Sequence, residues 1–286
     1  METKKKHKVI ITGTGFRCSD DFIESDNIFS SNQVKVNIGT ATAKVLLENG
    51  FDVVLLSKTE NKLKKIKEDL VYLFPNREIE YHLLDILNEE DVKNFFLNLS
   101  RDFTYSYVHS AGLSTASYAL KDDNPYLSIE DLPINLPTLE FSTVVQSLLI
   151  MTKGFLPIFQ QQELSKVIVI NSMSGIRSYP LGYSHSSAKG GLHNAVRALS
   201  LELNKRNVYF SEIMPGIVDT GLYDTPAVIE AVQKIGKEFG YEYGIDGIPK
   251  MSPYSVAEVV HICLVNSANI LSINMVSQGQ FPHQGA

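Results

Sequence analysis

His185 and Lys189 stand four residues apart in the stretch His185-Ser186-Ser187-Ala188-Lys189-Gly190-Gly191-Leu192. If that stretch is helical, both side chains leave one face, a turn apart. An imidazole with an ordinary pKa of about 6.5 is a competent acid or base at neutral pH, so the chemistry on offer is proton transfer. A second constellation lies near the start of the chain. Thr12-Gly13-Thr14-Gly15 follows an apolar run, and Asn37-Ile38-Gly39-Thr40 opens a helix-period segment. Glycines in such a place let the backbone approach an anion at a helix N-terminus, where free N–H groups and the helix dipole favour negative charge. The seven histidines, His7, His82, His109, His185, His193, His261 and His283, show no metal-ligand spacing, and neither HExxH nor CxxC occurs, so no metal is expected.

The elements that must position these groups alternate. Lys8 to Thr12 reads as a strand, Thr40 to Asn49 as a helix, Asp52 to Leu56 as a strand and Asn61 to Leu73 as a helix. Glu78 to Leu84, Glu89 to Leu99 and Tyr105 to His109 continue as strand, helix, strand. A long helix around Phe141 to Gln161 follows, then strand Lys166 to Asn171, helix Ser184 to Arg206, strand Asn207 to Ile213, and a last helix and strand near Ser255 to Val276. The pattern predicts an α/β fold: a single Rossmann-type, doubly wound parallel sheet with helices on both faces, in one domain over residues 1–286. Two stretches break it. Residues 16–36 separate the first strand from its helix by far more than a usual βα loop, and residues 220–252, rich in Gly and Tyr, read as a lid over the open end of the sheet. For the first, a surface excursion and a flap over the ligand both remain open. In the second, Tyr223 and the cluster Phe239 to Tyr243 could line a pocket for a mostly apolar small molecule or pack in the core.

The 286 residues are 44% hydrophobic and 20% charged, enough for a sizeable core. A formal net charge of -6 disfavours nucleic acid, which needs a basic face. Only Cys18 and Cys263 are present, so no disulfide framework is expected. The start METKKKHKVIITG lacks the apolar stretch and cleavage site of a signal peptide, and no segment reads as long and apolar enough to span a bilayer. A reducing cytoplasm, with no membrane partner, is the expected setting.

Taken in order, these motifs resemble those of the short-chain dehydrogenase/reductases, over about Lys8 to Ser267. Thr12, Gly13 and Gly15 with Asn37, Ile38 and Gly39 look like the family's T-G-x-x-x-G-x-G turn, split by the insertion and with Asn37 at the middle glycine, a residue type that tolerates a left-handed backbone. Asp85 matches the family's adenine-contacting Asp, and His109-Ser110-Ala111-Gly112 its N-N-A-G segment. Pro215-Gly216-Ile217-Val218-Asp219-Thr220 resembles the P-G-x-V-x-T segment passing the nicotinamide. Ser57 and Lys58 end the second strand without an acidic residue; a small polar group beside a cation accommodates a 2′-phosphate, so NADP(H) is favoured over NAD(H).

The resemblance also implies a reaction centre. The family has a Ser that polarises the carbonyl, a Tyr thirteen positions on that passes the proton, and a Lys four further that lowers the Tyr pKa and binds the nicotinamide ribose. Ser172 and Lys189 match, but the Tyr position holds His185. Tyr183 lies two residues early and could swing in. The family's further Asn should fall at Val144 to Gln146, where no Asn stands and Gln146 is the nearest substitute. Three functions compete: an NADP(H)-dependent oxidoreductase moving hydride between nicotinamide and a carbonyl, alcohol or enone of a small apolar molecule; a non-redox dehydratase or isomerase; and a binding or scaffold protein that kept only the fold. By analogy with the family, a homodimer or homotetramer is expected.

Overall fold

A computed structural model describes residues 6–19, 26–112, 127–224, 226–239 and 248–280. Seven strands form one parallel sheet: β1 (Lys6–Thr12), β4 (Asp52–Ser57), β5 (Ile79–Leu83), β6 (Phe103–His109), β7 (Ser165–Ile170), β8 (Val208–Pro215) and β9 (Ser272–Met275). Their order is β5-β4-β1-β6-β7-β8-β9, and each neighbouring pair runs parallel. The chain therefore winds outward from β1, then returns to lay β6 on its other side. That reversal opens a crevice beyond the C-terminal ends of β1 and β6, where open α/β sheets bind ligands.

The strands are continuous apolar runs because both faces are covered. Val9 and Ile11 point to one face and Ile10 to the other, and all three are fully buried. The first face packs against α1 (Ile38–Glu48), α2 (Glu60–Leu73) and α7 (Pro253–Val265) through Leu46, Leu63 and Val256. The second packs against α3 (Glu89–Leu97), α4 (Asn135–Phe159) and α5 (Tyr183–Leu203) through Phe96, Phe155 and Leu192. Each such side chain stabilises the fold by roughly 1.5–3 kcal/mol. The remaining helix, α6 (Pro226–Phe239), belongs to the segment 220–252, of which residues 225 and 240–247 lie outside the described ones.

One expectation changes, and the insertion takes a defined shape. The 25-residue α4 is long and apolar enough, by length and composition, to cross a membrane, although no such segment was expected; half of its apolar window is buried against the protein, as in a core helix. The insertion, of which residues 20–25 lie outside the description, forms an antiparallel ribbon of β2 (Phe16–Cys18) and β3 (Val34–Val36). Phe16, Ile28, Val34 and Val36 are buried in the first core, and the Ile28 N–H donates to Asp69 of α2 at 2.9 Å. Lys35 pairs with Asp219 at 2.6 Å and the Arg17 guanidinium donates to the Thr220 carbonyl at 3.1 Å, so the ribbon reaches from the first turn to the loop after β8.

Candidate active site

The ends of the insertion meet, which restores the glycine turn that the sequence splits. The Asn37 N–H donates to the Gly15 carbonyl at 3.0 Å, and the Asn37 amide donates to the Gly13 carbonyl at 2.7 Å. Thr40 Oγ1 both accepts the Gly15 N–H and donates to the Gly15 carbonyl, each at 2.8 Å. Asn37 is not left-handed, contrary to the sequence expectation. At φ -82° and ψ 175° it is the N-cap of α1, its Oδ1 accepting the Thr40 N–H at 3.0 Å. Gly13, at φ +71°, carries the left-handed turn, and a Cβ there would lie 2.5 Å from the Ser110 carbonyl oxygen. A Cβ on Gly39 would lie 2.7 Å from the Gly13 oxygen, so the helix sits on the turn at a distance only two glycines permit.

Over this turn lies a cleft of about 440 Å³, within the usual size range of small-molecule sites. Gly15, Asn37, Ile38, Ser110, Gly112, Pro215, Gly216, Val218 and Thr220 line it, as do Ser172, His185 and Lys189. Thr12, Gly13, Gly39 and Ala111 are not in the lining: Thr12 is fully buried, with its Oγ1 accepting the Ser110 N–H at 3.3 Å, and Ala111 packs against the second core. Ser57, Lys58 and Asp85 are also outside it. Lys58 pairs with Asp85 at 2.7 Å, so the expected 2′-phosphate cation and the expected adenine contact engage each other. Burial raises the Asp85 carboxyl, but its bonds to Lys58 and to the Leu87 N–H bring it below the usual carboxylate range. The cations present instead are Arg17 and Lys62, with Thr14, Phe16 and Thr59 beside them. Lys62 donates to the Phe16 carbonyl at 2.9 Å. No Asp or Glu occurs among the described residues lining the cleft, despite the acidic net charge.

At the far end, α5 carries His185, Lys189 and His193 at successive four-residue steps, on one helix face. His185 Nδ1 lies 2.6 Å from Oε1 of Glu140, a fully buried residue of α4. A carboxylate oxygen at that distance accepts a hydrogen bond from Nδ1–H and leaves Nε2 for the cleft. Lys189 is buried, its Nζ 3.4 Å from the Ile170 carbonyl. Desolvation pushes its pKa down to about 8, against the opposing pull of Glu140 and Glu212. Ser172 Oγ is 2.8 Å from Ser174 Oγ and accepts the Ser174 N–H at 3.1 Å, which fixes it at the cleft floor.

Tyr183, at the first position of α5, is 42% exposed and does not line the cleft. Gln146 is exposed, while Val144 and Val145 are buried, so the expected Asn substitute is absent from the site. The physical reason is a π-helical turn over Ser142–Gln146, which inserts a residue and turns the face of α4. Glu140, just before that turn, takes the place against α5. Glu140 lies just ahead of the helix expected from Phe141, and its signal in the sequence is an acidic residue in a long apolar stretch.

A chain of hydrogen bonds ties this end to the glycine turn. Ser147 donates to the Thr143 carbonyl at 2.6 Å, so it can only accept from His109 Nε2 at 3.4 Å. His109 Nδ1 then accepts from the Tyr107 hydroxyl at 2.6 Å, and Tyr107 accepts from Thr12 at 3.2 Å. Burial first, then the nearby Lys189 charge, lowers the His109 pKa to about 3.

The nicotinamide dinucleotide implied by the motifs is consistent with these features: a glycine cradle that a Cβ would fill, a capped helix N-terminus, and a cleft whose charged side chains are all cationic or imidazole. Solved structures of similar shape include an alcohol dehydrogenase of Thermococcus sibiricus complexed with 5-hydroxy-NADP, with a TM-score of 0.71 and 21% identity over 98% of this chain and 100% of that one. A second is the NADPH-bound short chain oxidoreductase of Pseudomonas aeruginosa described as containing an atypical catalytic center, with a TM-score of 0.72 and 18% identity over 96% and 97% of the two chains. In sequence, an uncharacterized oxidoreductase of Staphylococcus haemolyticus is 24% identical over 84% of this chain and 91% of its own length. The short chain dehydrogenase pattern matches residues 35–227, beginning where the insertion ends. That match spans well over half of the chain, which therefore belongs to the short chain dehydrogenase family.

Proposed function

We propose that this protein is an NADP(H)-dependent oxidoreductase that interconverts a carbonyl and an alcohol on a small molecule, with His185 in place of the family's tyrosine. The single observation that carries the reading is the 2.6 Å contact of His185 with the buried Glu140, beside Lys189 and Ser172, in the cleft built on the glycine turn. The dinucleotide supplies or accepts the hydride when bound. Gly15, Asn37 and the N-terminus of α1 would hold its pyrophosphate, and Lys189 its nicotinamide ribose. Ser172 orients the substrate oxygen. His185 exchanges the proton at that oxygen through Nε2, while Glu140 fixes the orientation and tautomer of the ring.

The preference for NADP(H) rests on Lys62 and Arg17, whose charges meet carbonyl oxygens at the cleft wall, in place of Lys58. Structural relatives described with NADP or NADPH support it. Fluorescence titration of the purified protein with NADPH and NADH tests the reading. Binding of NADPH at micromolar concentration, tighter than NADH, is expected; failure of both to bind at millimolar concentration would overturn it in favour of a scaffold.

A further inference from the structure

The cleft wall beside the reaction centre is held by a side chain that the mechanism does not use. Ile170 stands opposite Ile213 in the parallel pair β7–β8, so Ser172 and Pro215, two residues further along each chain, leave the sheet side by side. The segment after Pro215 is then stitched on three sides. The Gly216 N–H donates to the Met275 carbonyl of β9 at 2.7 Å. The Met251 N–H donates to the Ile217 carbonyl at 2.9 Å, and the Met251 carbonyl accepts the Asp219 N–H at 2.8 Å. The third stitch comes from a side chain: the Ile217 N–H donates to Gln280 Oε1 at 3.0 Å, and the Ser277 hydroxyl donates to the same oxygen at 3.3 Å. Gln280 is presented by a β-turn after β9, closed by its own N–H on the Ser277 carbonyl at 3.1 Å, with Gly279 at φ +82°.

Gln280 reaches Ile217 because residue 216 has no side chain. A Cβ on Gly216 would fall on the Gln280 amide, 2.5 Å from Nε2 and closer still to Oε1, and the nearest atoms it meets all belong to Gln280. Pro215, Gly216 and Val218 line the cleft and Gln280 does not, so the amide acts on the wall. We propose that Gln280 is a positioning residue for the nicotinamide end of the bound dinucleotide: seated on Gly216, it pins the Ile217 backbone and so fixes the wall formed by Pro215, Gly216 and Val218. That wall shares the cleft with Lys189, the residue assigned to the nicotinamide ribose, whereas the pyrophosphate would rest on the glycine turn and α1. Without the amide the Ile217 N–H loses its acceptor, and the wall loosens at the reaction-centre end alone.

The inference rests on the proposed function, and its test separates the two. Dissociation constants are measured for NADPH by fluorescence and for 2′,5′-ADP, which lacks the nicotinamide half, by calorimetry. In Gln280→Met, which fills a similar volume without an acceptor oxygen, NADPH should bind about fivefold or more weakly, with 2′,5′-ADP within about twofold of wild type. Gly216→Ala should do the same, because its methyl displaces the amide. Added to Gln280→Ala, where the methyl has room, Gly216→Ala should cost less than about twofold further, the non-additivity expected of a direct contact. Thermal melts check folding, and the Gly216→Ala comparison carries the test if Gln280→Met does not fold. NADPH affinity within twofold of wild type in folded Gln280→Met, equal losses for NADPH and 2′,5′-ADP, or an undiminished Gly216→Ala effect beside Gln280→Ala overturns the inference and leaves the oxidoreductase reading intact. Failure of the wild type to bind NADPH overturns both.

Discussion

Glu140 and His185, forty-five residues apart in the chain, meet at 2.6 Å between two helices that pack on the same face of the sheet. The carboxyl is fully buried and the imidazole side chain is 17% exposed, so one partner anchors and the other reaches the cleft. Glu140→Gln keeps the shape but lets the amide donate, which drives His185 toward the wrong tautomer. Turnover should fall roughly 10²- to 10⁴-fold with NADPH affinity nearly unchanged, and the pH profile of kcat should move. Steady-state kinetics on a carbonyl substrate found by screening NADPH consumption gives the measurement; kcat within twofold of wild type would show that Glu140 has no part in proton transfer.

Cofactor choice should follow the cleft wall. Lys62→Gln is expected to reduce the ratio of NADPH to NADH affinity by about tenfold, the scale of a charge-assisted hydrogen bond, while Lys58→Gln leaves it within twofold because Lys58 is paired with Asp85. Titration of both variants with both nucleotides decides it. A larger effect from Lys58 would return the 2′-phosphate to the end of β4.

Acid should weaken the fold through His109. Its folded pKa of about 3 lies below the ordinary 6.5, so between these values the unfolded chain binds a proton that the folded chain does not. Stability from this residue is complete above pH 6.5 and lost as pH falls, by about 2 kcal/mol at pH 5. His7, lowered by burial to about 4, acts in the same direction. Urea unfolding at pH 7.5 and pH 5 should therefore show a smaller acid loss in His109→Gln than in wild type, even though H109Q is less stable at both. An equal loss in the two proteins would mean that His109 is protonated in the fold.

The glycine turn makes a graded prediction. Gly39→Ala places a methyl 2.7 Å from the Gly13 oxygen and should weaken NADPH binding tenfold or more. Gly15→Ala meets only the Asn37 amide, at 3.3 Å, and should be the milder change. Binding titrations on the two variants, with thermal melts to confirm folding, check the order.

The alternation of apolar strands and periodic helices was legible because it follows from burial on both faces of the sheet, and the His185 and Lys189 pair was legible because helical spacing is local. The Lys58 and Asp85 pair was within reach: parallel β4 and β5 set Ser57 opposite Leu83, which brings the residues just beyond side by side. In the insertion, the Val34-Lys35-Val36 alternation marked a half-buried strand, although the meeting of Gly15 with Asn37 needs the three-dimensional path. Glu140 could not be assigned by counting, since a π-helical turn shifts the register of α4 and no sequence distance encodes the contact of two packed helices.

The central claim, that an imidazole carries the proton in this cleft, is tested most directly by comparing His185→Ala with Tyr183→Phe under NADPH-dependent turnover. His185→Ala should lower kcat roughly 10²- to 10⁴-fold with the NADPH dissociation constant nearly intact, and Tyr183→Phe, altering an exposed side chain outside the cleft, should leave kcat within about threefold. A greater loss from the tyrosine change, or an unchanged kcat in H185A, would contradict it.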